Sequence, residues 1–134
     1  MNAEIPNDKL RVLMVDDQAF IRMTLRQILG VLGIVQIEEA SDGVEALEYL
    51  HNQHFDIVIL DIQMEPMDGL ECLKKIRRDP EKKIADTPVV MLTTYSDEST
   101  VKKVAEIGVQ GYIVKPTSVA LVGKAIERAL GKPG

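Results

Sequence analysis

The chain has 134 residues, a formal net charge of −5, 46% hydrophobic and 28% charged residues. These values predict one globular domain over 1–134, with a core from about residue 10 to residue 130 after a short polar N-terminal lead-in. The acidic balance disfavours direct binding to nucleic acid or to an anionic membrane, and the single cysteine, Cys72, excludes an intrachain disulfide. There is no signal-peptide pattern and no apolar run of the ~20 residues that span a bilayer, so we expect a cytoplasmic protein without membrane insertion.

Five apolar runs along the chain predict five β-strands. They cover residues 10–15, 34–37, 57–60, 88–92 and 111–114. The third run contains no polar residue and ends on Asp61, a pattern typical of a strand that is buried on both faces of a parallel sheet.

A helical pattern follows each predicted strand. Asp42 and Asp68, each with a glutamate three residues later, indicate the first turns of the second and third helices. We expect Val44, Leu47 and Leu50 to form the buried face of the second helix. The last helix is expected to bury Ala125, Ile126 and Ala129 together with Leu121 or Val122, and residues 82–86 to form a solvated connection. Because strands and helices alternate, we predict an α/β fold in which helices cover both faces of a parallel sheet.

Reactive side chains follow four of the five predicted strands. Asp16 and Asp17 follow the first strand, Asp61 the third, Thr93 the fourth and Lys115 the fifth. If the first and third strands are neighbours, three carboxylates meet within a few ångströms, and such a cluster requires a cation or a proton. Oxygen ligands without histidine or cysteine favour Mg²⁺, and Lys115 adds a second positive charge for an anion such as a phosphoryl group.

These residues stand in motifs that resemble the receiver domain of bacterial two-component response regulators. The motifs are Val15-Asp16-Asp17, Asp61-Ile62-Gln63-Met64 with Met67-Asp68-Gly69, Leu92-Thr93, and Tyr112-Ile113-Val114-Lys115-Pro116. The resemblance extends from about residue 10 to residue 130. It implies a flavodoxin-like, doubly wound five-stranded sheet of order 2-1-3-4-5 and a single-domain regulator of the chemotaxis type.

The resemblance also implies roles for individual residues. Asp61 is the expected phosphoacceptor, receiving a phosphoryl group from a sensor histidine kinase or a histidine phosphotransfer protein. Mg²⁺ is expected to bind Asp17, Asp61 and the backbone carbonyl of Gln63 directly, and Asp16 largely through water. The Lys115–Pro116 peptide bond is expected to be cis. The protein is not a conventional enzyme, but it is expected to catalyse its own phosphotransfer and autodephosphorylation.

Receiver domains convert phosphorylation into a change of their surface, and the resemblance implies the same switch in this protein. Lys115 is expected to pair with the phosphoryl oxygens, Thr93 to hydrogen-bond them, and Tyr112 to turn inward behind Thr93. The expected binding face for a downstream protein target consists of the fourth predicted helix, the fifth strand and the fifth predicted helix, and includes Lys102 and Lys103.

Three residues depart from the usual pattern of this family and are expected to modulate the site. Glu65 occupies a position that is usually proline, with Pro66 following it, and brings an extra carboxylate near the metal site. Thr94 replaces a smaller residue. Tyr95 is bulky, and our hypothesis is that it shields the acyl phosphate from water and prolongs its lifetime.

Two other functions that share this fold or chemistry fit the residues less well. A flavodoxin requires a phosphate loop after the first strand, where Asp16 and Asp17 repel phosphate. A phosphatase with an aspartyl nucleophile requires an acid two residues after that nucleophile, at the position of Gln63. Two alternatives remain open: a receiver-like interaction module that works without phosphorylation, and a receiver fragment of a larger regulator.

Overall fold

The structure is a computed structural model and describes residues 5–94 and 98–131. After a 3-10 helix at Asn7–Lys9, five strands alternate with the main helices. The strands are β1 (Arg11–Val15), β2 (Gln36–Ala40), β3 (Ile57–Asp61), β4 (Val89–Thr93) and β5 (Gly111–Val114). The helices are α1 (Ala19–Val31), α2 (Gly43–Asn52), α3 (Gly69–Arg77), α4 (Lys82–Ala85), α5 (Glu98–Ile107) and α6 (Val119–Ala129).

The five strands form one parallel sheet of order β2-β1-β3-β4-β5, which confirms the predicted fold class and strand order. Strand β3 lies at the centre, and all five of its residues are buried. Its register pairs Val15 of β1 with Leu60, and Leu92 of β4 with Asp61. The uninterrupted apolar run therefore forms the central strand because both of its faces are covered.

Two hydrophobic clusters lie on opposite faces of the sheet, as alternating strand residues require. Val58 and Leu60 of β3 belong to the cluster that contains the buried residues of α2, α3 and α5. Ile57 and Ile59 belong to the cluster that contains those of α1 and α6. Among the described residues, no helix combines the length and apolar character that crossing a membrane requires.

Two predicted details of the second strand–helix unit are wrong. Strand β2 occupies Gln36–Ala40 rather than 34–37. It is an edge strand, and Ala40 is its buried residue. Because the rest of its sequence is mostly polar, a pattern of apolar residues does not predict its bounds. In α2, Val44 is half-exposed, whereas Ala46 and Leu50 are buried. The buried face of α2 passes through Gly43, Ala46 and Leu50 at helical spacing, which leaves Val44 to one side of it.

The predicted solvated connection at 82–86 contains the short helix α4. Ile84 is buried and attaches this turn to the core. The fourth and fifth predicted helices are therefore α5 and α6. In α6 the choice between two apolar residues is resolved, because Val122 is buried and Leu121 is exposed.

Candidate functional site

Three carboxylates meet at the carboxyl end of the sheet. Strand β1 lies beside β3, so Asp16 and Asp17 at the end of β1 are brought to Asp61 at the end of β3. One ligand oxygen of each side chain lies within 4.8 Å of the other two. The predicted convergence of these three residues is confirmed.

Asp16 is fully buried, and contacts from several other parts of the fold hold it. Its N–H donates to the Ala40 carbonyl oxygen at 3.1 Å. Its Oδ1 accepts from the Gln18 N–H at 2.9 Å, and its Oδ2 from Lys115 Nζ at 3.2 Å. Its carbonyl oxygen accepts from Arg22 Nη1 at 2.6 Å. The Asp16 side chain is therefore fixed in orientation.

Asp17 differs from its neighbour in both exposure and contacts. It is exposed, and its carboxylate forms no hydrogen bond or ion pair with another residue in the described ranges 5–94 and 98–131. It lines an open cavity of about 570 Å³ together with Gln63, Glu65 and Lys103. A side chain with these properties can turn towards a bound cation without breaking an existing contact.

Asp61 is buried at the bottom of the site. Its Oδ1 lies 3.2 Å from Lys115 Nζ and accepts from the Gln63 N–H at 3.2 Å. Burial, and secondly the charge of Asp16, raise the pKa of Asp61 to about 6, although Lys115 opposes the shift. One lysine therefore does not balance the carboxylates of this site.

The residues of the site fit a magnesium ion. The cluster offers oxygen ligands only, and Mg²⁺ prefers carboxylate oxygens together with water. Asp17 is exposed and able to bind a cation. Burial disfavours the negative charge of the Asp61 carboxylate. A divalent cation would relieve the repulsion among these carboxylates.

Lys115 reaches the site from the loop after β5. Its N–H donates to the Thr93 carbonyl oxygen at 2.8 Å, which fixes the loop against β4. The Lys115–Pro116 peptide bond is cis, as the family resemblance implies. The ammonium group lies 3.2 Å from both Asp16 Oδ2 and Asp61 Oδ1, so it bridges the two buried acids.

Thr93 and Tyr112 lie on adjacent strands but form separate contacts. The Thr93 side chain is buried, and its hydroxyl donates to the Thr94 carbonyl oxygen at 3.1 Å. Tyr112 is partly buried, and its hydroxyl donates to the Val101 carbonyl oxygen of α5 at 3.3 Å. Burial raises the pKa of the Tyr112 phenol, which therefore remains a neutral hydrogen-bond donor. Tyr112 thus connects β5 to α5 in this conformation.

Of the three residues that depart from the family pattern, the structure describes Glu65 and Thr94, and neither belongs to the carboxylate cluster. Glu65 is exposed and precedes a second cis peptide bond, Glu65–Pro66. It lines the open cavity beside Asp17 but is not one of the three clustered acids. Thr94 supplies the carbonyl oxygen that Thr93 binds, and Tyr95 lies outside the described residues.

Gly69, which belongs to the Met67-Asp68-Gly69 motif, has a packing role at the site that the sequence did not reveal. Its N–H donates to the Ile62 carbonyl oxygen at 2.8 Å, and a Cβ atom at this position would overlap the Asp61 carbonyl oxygen. Glycine therefore allows the first turn of α3 to pack directly against the end of β3. The Asp68-Gly69 pair was visible as a helix start, but the close approach to Asp61 depends on the fold.

Comparisons with known proteins agree with this arrangement. The sequence profile described as "Response regulator receiver domain" matches residues 12–127. The chemotaxis protein CheY-3 of Vibrio cholerae serotype O1 is 36% identical over 124 residues, which cover 92% of this chain and 94% of that protein. CheY of Pseudomonas aeruginosa is 33% identical over 119 residues, covering 89% of this chain and 94% of that protein. The solved structure of Vibrio cholerae CheY4 has a TM-score of 0.82 at 33% identity, covering 90% of this chain and 98% of that one.

Proposed function

This chain belongs to the family of response regulator receiver domains, and we propose that it is a signalling switch in which Asp61 accepts a phosphoryl group. The observation that carries the proposal is the grouping of three acids with a bridging lysine. Asp16, Asp17 and Asp61 approach within 4.8 Å of one another. Lys115 lies 3.2 Å from two of them.

The proposed reaction is transfer from a phosphohistidine of a kinase or phosphotransfer protein. One carboxylate oxygen of Asp61 forms a P–O bond while the P–N bond of the donor breaks, and the imidazole leaves with the electrons of that bond. Asp61 must be ionised to attack. Lys115 lies where its ammonium group can receive the phosphoryl oxygens, because it already contacts the attacking carboxylate.

The proposed cofactor is Mg²⁺. Asp17, Asp61 and the backbone carbonyl of Gln63 would hold it directly, and Asp16 would contribute mainly through water. When bound, the ion screens the negative charge of the phosphoryl oxygens. Asp16 in this scheme serves chiefly to hold Lys115, which fits its complete burial.

The proposed switch connects Asp61 to the face formed by α5, β5 and α6. Thr93 is close to Asp61 because β3 and β4 are neighbours and Asp61 pairs with Leu92, and Lys115 contacts Asp61 from the loop after β5. A phosphoryl group is a stronger acceptor than the carbonyl of Thr94, so the Thr93 hydroxyl is expected to turn towards it. Tyr112, with one long hydrogen bond to α5, would then change position and alter the binding face.

The proposed partners are a histidine kinase or phosphotransfer protein and a downstream protein. Related proteins are named chemotaxis proteins, so partners in chemotaxis are the first to test. We propose that the switch operates in the cytoplasm as one domain, releasing its phosphoryl group by autodephosphorylation. Glu65, Thr94 and Tyr95 remain proposed modulators, and a Tyr95→Ala variant should dephosphorylate faster than the wild type.

Incubation with acetyl phosphate and Mg²⁺, followed by intact-mass measurement, tests the chemistry. The wild type should acquire one phosphoryl adduct and the Asp61→Asn variant none. Asp86→Asn, which alters an exposed acid before β4, is the matched control and should keep the adduct. Absence of an adduct in the wild type, under conditions where Mg²⁺ binds, would favour a phosphorylation-independent interaction module.

A further inference from the structure

Arg22 of α1 makes a contact that links the acidic site to the edge strand. Its Nη1 donates to the Asp16 carbonyl oxygen at 2.6 Å, and its Nε donates to Glu39 Oε1 of β2 at 3.0 Å. The Arg22 side chain is only 18% exposed, so protein groups replace most of its hydration. The guanidinium group therefore joins three elements, α1, β2 and the turn that follows β1.

We propose that Arg22 is a positioning residue for the acidic site, holding the turn after β1 so that Asp16 faces Lys115 and Asp17 points outward. The inference rests on the proposed metal site for its consequence, weaker Mg²⁺ binding when the contact is lost. Its structural part, the order of the turn, is independent of phosphorylation and of the metal.

Several hydrogen bonds hold the turn after β1, and the one from Arg22 acts on the peptide between Asp16 and Asp17. The Asp16 carboxylate accepts from Lys115 Nζ and from the backbone N–H of Gln18, and the second bond closes the turn. The backbone itself is held by the Asp16 N–H on one side of the residue and by Arg22 on the other. Without Arg22 the Asp16 carbonyl oxygen loses this donor, and we expect Asp16 and Asp17 to be less well preorganised for a cation.

Glu39 holds Arg22 in the required orientation. Burial opposes ionisation of Glu39, but hydrogen bonds from Arg26 and Arg22 lower its pKa below the ordinary value. Glu39 therefore remains a carboxylate at neutral pH and can bind both arginines, with Arg26 Nε at 2.8 Å. Arg26 is 46% exposed and does not contact Asp16, which makes it a matched control for Arg22.

The geometry requires arginine rather than any cation. The planar guanidinium group of Arg22 presents several donors at fixed angles and can bond a carbonyl and a carboxylate at once. Replacement by lysine keeps the charge but places it on a single ammonium group at the end of a flexible stem. That ammonium group would not reproduce both contacts, so the Arg22→Lys variant separates position from charge.

Two measurements test the proposal on Arg22→Met, Arg22→Lys and Arg26→Met. The first is the Mg²⁺ dissociation constant from calorimetry, and the second is amide hydrogen exchange of Gln18 in the metal-free protein. For Arg22→Met we expect Mg²⁺ binding to weaken by about tenfold and the Gln18 amide to exchange faster. The Gln63 amide, which donates to Asp61 across the site, is the internal control and should be unaffected. Arg26→Met should match the wild type in both measurements.

Two results would overturn the proposal. Unchanged Gln18 exchange in Arg22→Met would show that the turn does not need this contact. Full recovery of Mg²⁺ affinity in Arg22→Lys would show that charge alone matters. If Arg22→Met does not fold, the same two measurements on Glu39→Gln, which releases Arg22 without removing it, must show the same direction of change. Because Gln18 exchange needs neither metal nor phosphate, a missing Asp61 adduct would contradict the proposed function and leave this test intact.

Discussion

The two ends of the sheet treat buried charge in opposite ways. At the amino end, the guanidinium group of Arg77 binds neutral acceptors that lie before β4 and β5. At the carboxyl end, Asp16, Asp17 and Asp61 lie close together, and Lys115 contacts Asp16 and Asp61. The first arrangement disperses a charge over dipoles, whereas the second concentrates like charges.

The guanidinium group of Arg77 donates four hydrogen bonds at the amino end of the sheet. Its Nε donates to the Gly108 carbonyl oxygen at 2.9 Å, and its Nη1 to those of Ala85 and Thr87 at 2.8 and 2.7 Å. Its Nη2 donates to Gln110 Oε1 at 2.9 Å. Burial lowers the pKa of Arg77, but arginine remains charged at any pH at which the protein is folded. These bonds attach α3 to the loops that precede β4 and β5.

The comparison shows which end stabilises the fold and which end is available for chemistry. Each of these acceptors at the amino end is paired, so a change there should cost stability and leave the site intact. The carboxyl end has an excess of negative charge that a bound cation can neutralise, so a change there should affect binding and can increase stability. Four predictions test this contrast.

The largest effect is expected at the amino end. Arg77→Met should lower the free energy of unfolding by about 3 kcal/mol, because three partly buried carbonyl oxygens lose their donor at once. Urea denaturation measures this loss. Arg78→Met, which alters the exposed neighbour, is the control and should leave stability nearly unchanged. Equal stabilities for the two variants would contradict the assigned role of Arg77.

At the carboxyl end, removal of a charge should stabilise the protein. The pKa of Asp61 is raised from 3.8 to about 6, so the folded protein binds this proton more tightly than the unfolded chain does. The contribution of Asp61 to stability is therefore greatest at low pH and is lost as the pH rises from 3.8 to about 6. At neutral pH without metal, Asp61→Asn should raise the free energy of unfolding by about 2 kcal/mol.

Urea denaturation in the presence of a chelator tests this gain. Asp86→Asn removes a charge from an exposed acid at the opposite end and should give no comparable increase. A less stable Asp61→Asn protein would indicate that the Lys115 contact outweighs the repulsion and burial.

Mg²⁺ should stabilise the carboxyl end through binding. At ten times its dissociation constant, the ion should raise the free energy of unfolding by about 1.4 kcal/mol. Asp17→Asn should remove this gain, because Asp17 is the exposed carboxylate of the cluster. Glu65→Gln should retain it, because Glu65 lies outside the cluster. Loss of the gain in Glu65→Gln instead would place the ion elsewhere in the open cavity.

The smallest effect concerns the ion pair between His51 of α2 and Asp79, which follows the end of α3. His51 Nδ1 lies 2.8 Å from the Leu47 carbonyl oxygen and Nε2 lies 2.7 Å from Asp79 Oδ2. Both partners are acceptors, so they favour the doubly protonated ring and raise the pKa of His51, the Leu47 bond first and the Asp79 bond second. The stabilisation is complete below pH 6.5 and is lost as the pH rises through the raised value.

Because His51 is 47% exposed, this contribution should stay below about 0.5 kcal/mol. NMR titration of the His51 ring measures the pKa directly. Asp79→Asn should lower it while leaving the Leu47 bond in place. A His51 pKa that does not respond to this variant would rule out the ion pair in solution.

Much of the fold was predictable because hydrophobic patterns report burial directly. The apolar run at 57–60 predicts a strand covered on both faces, and it forms the centre of the sheet. The acid pairs at Asp42 and Asp68 mark helix starts, and each side chain accepts a hydrogen bond from the backbone N–H three residues later. Edge strand β2 and helix α4 were harder to predict, since each has a mostly polar sequence.

The candidate site was also predictable only in part. Its reactive residues could be read from the chain, because parallel strands bring their carboxyl ends to one edge, and the motifs resemble a known family. Their contacts could not be read. The difference between the locked Asp16 and the exposed Asp17 depends on where Arg22, Gln18 and Lys115 place their donors.

By itself, the sequence determined the alternation of strands and helices, the buried central strand and the identity of the residues at the sheet edge. These features follow from local patterns of apolar and polar residues. Only the tertiary structure decided which polar side chains meet, including the contacts of Arg77 with four acceptors and of Arg22 with Asp16. Long polar side chains can reach many partners from one position in the chain, and folding selects among them.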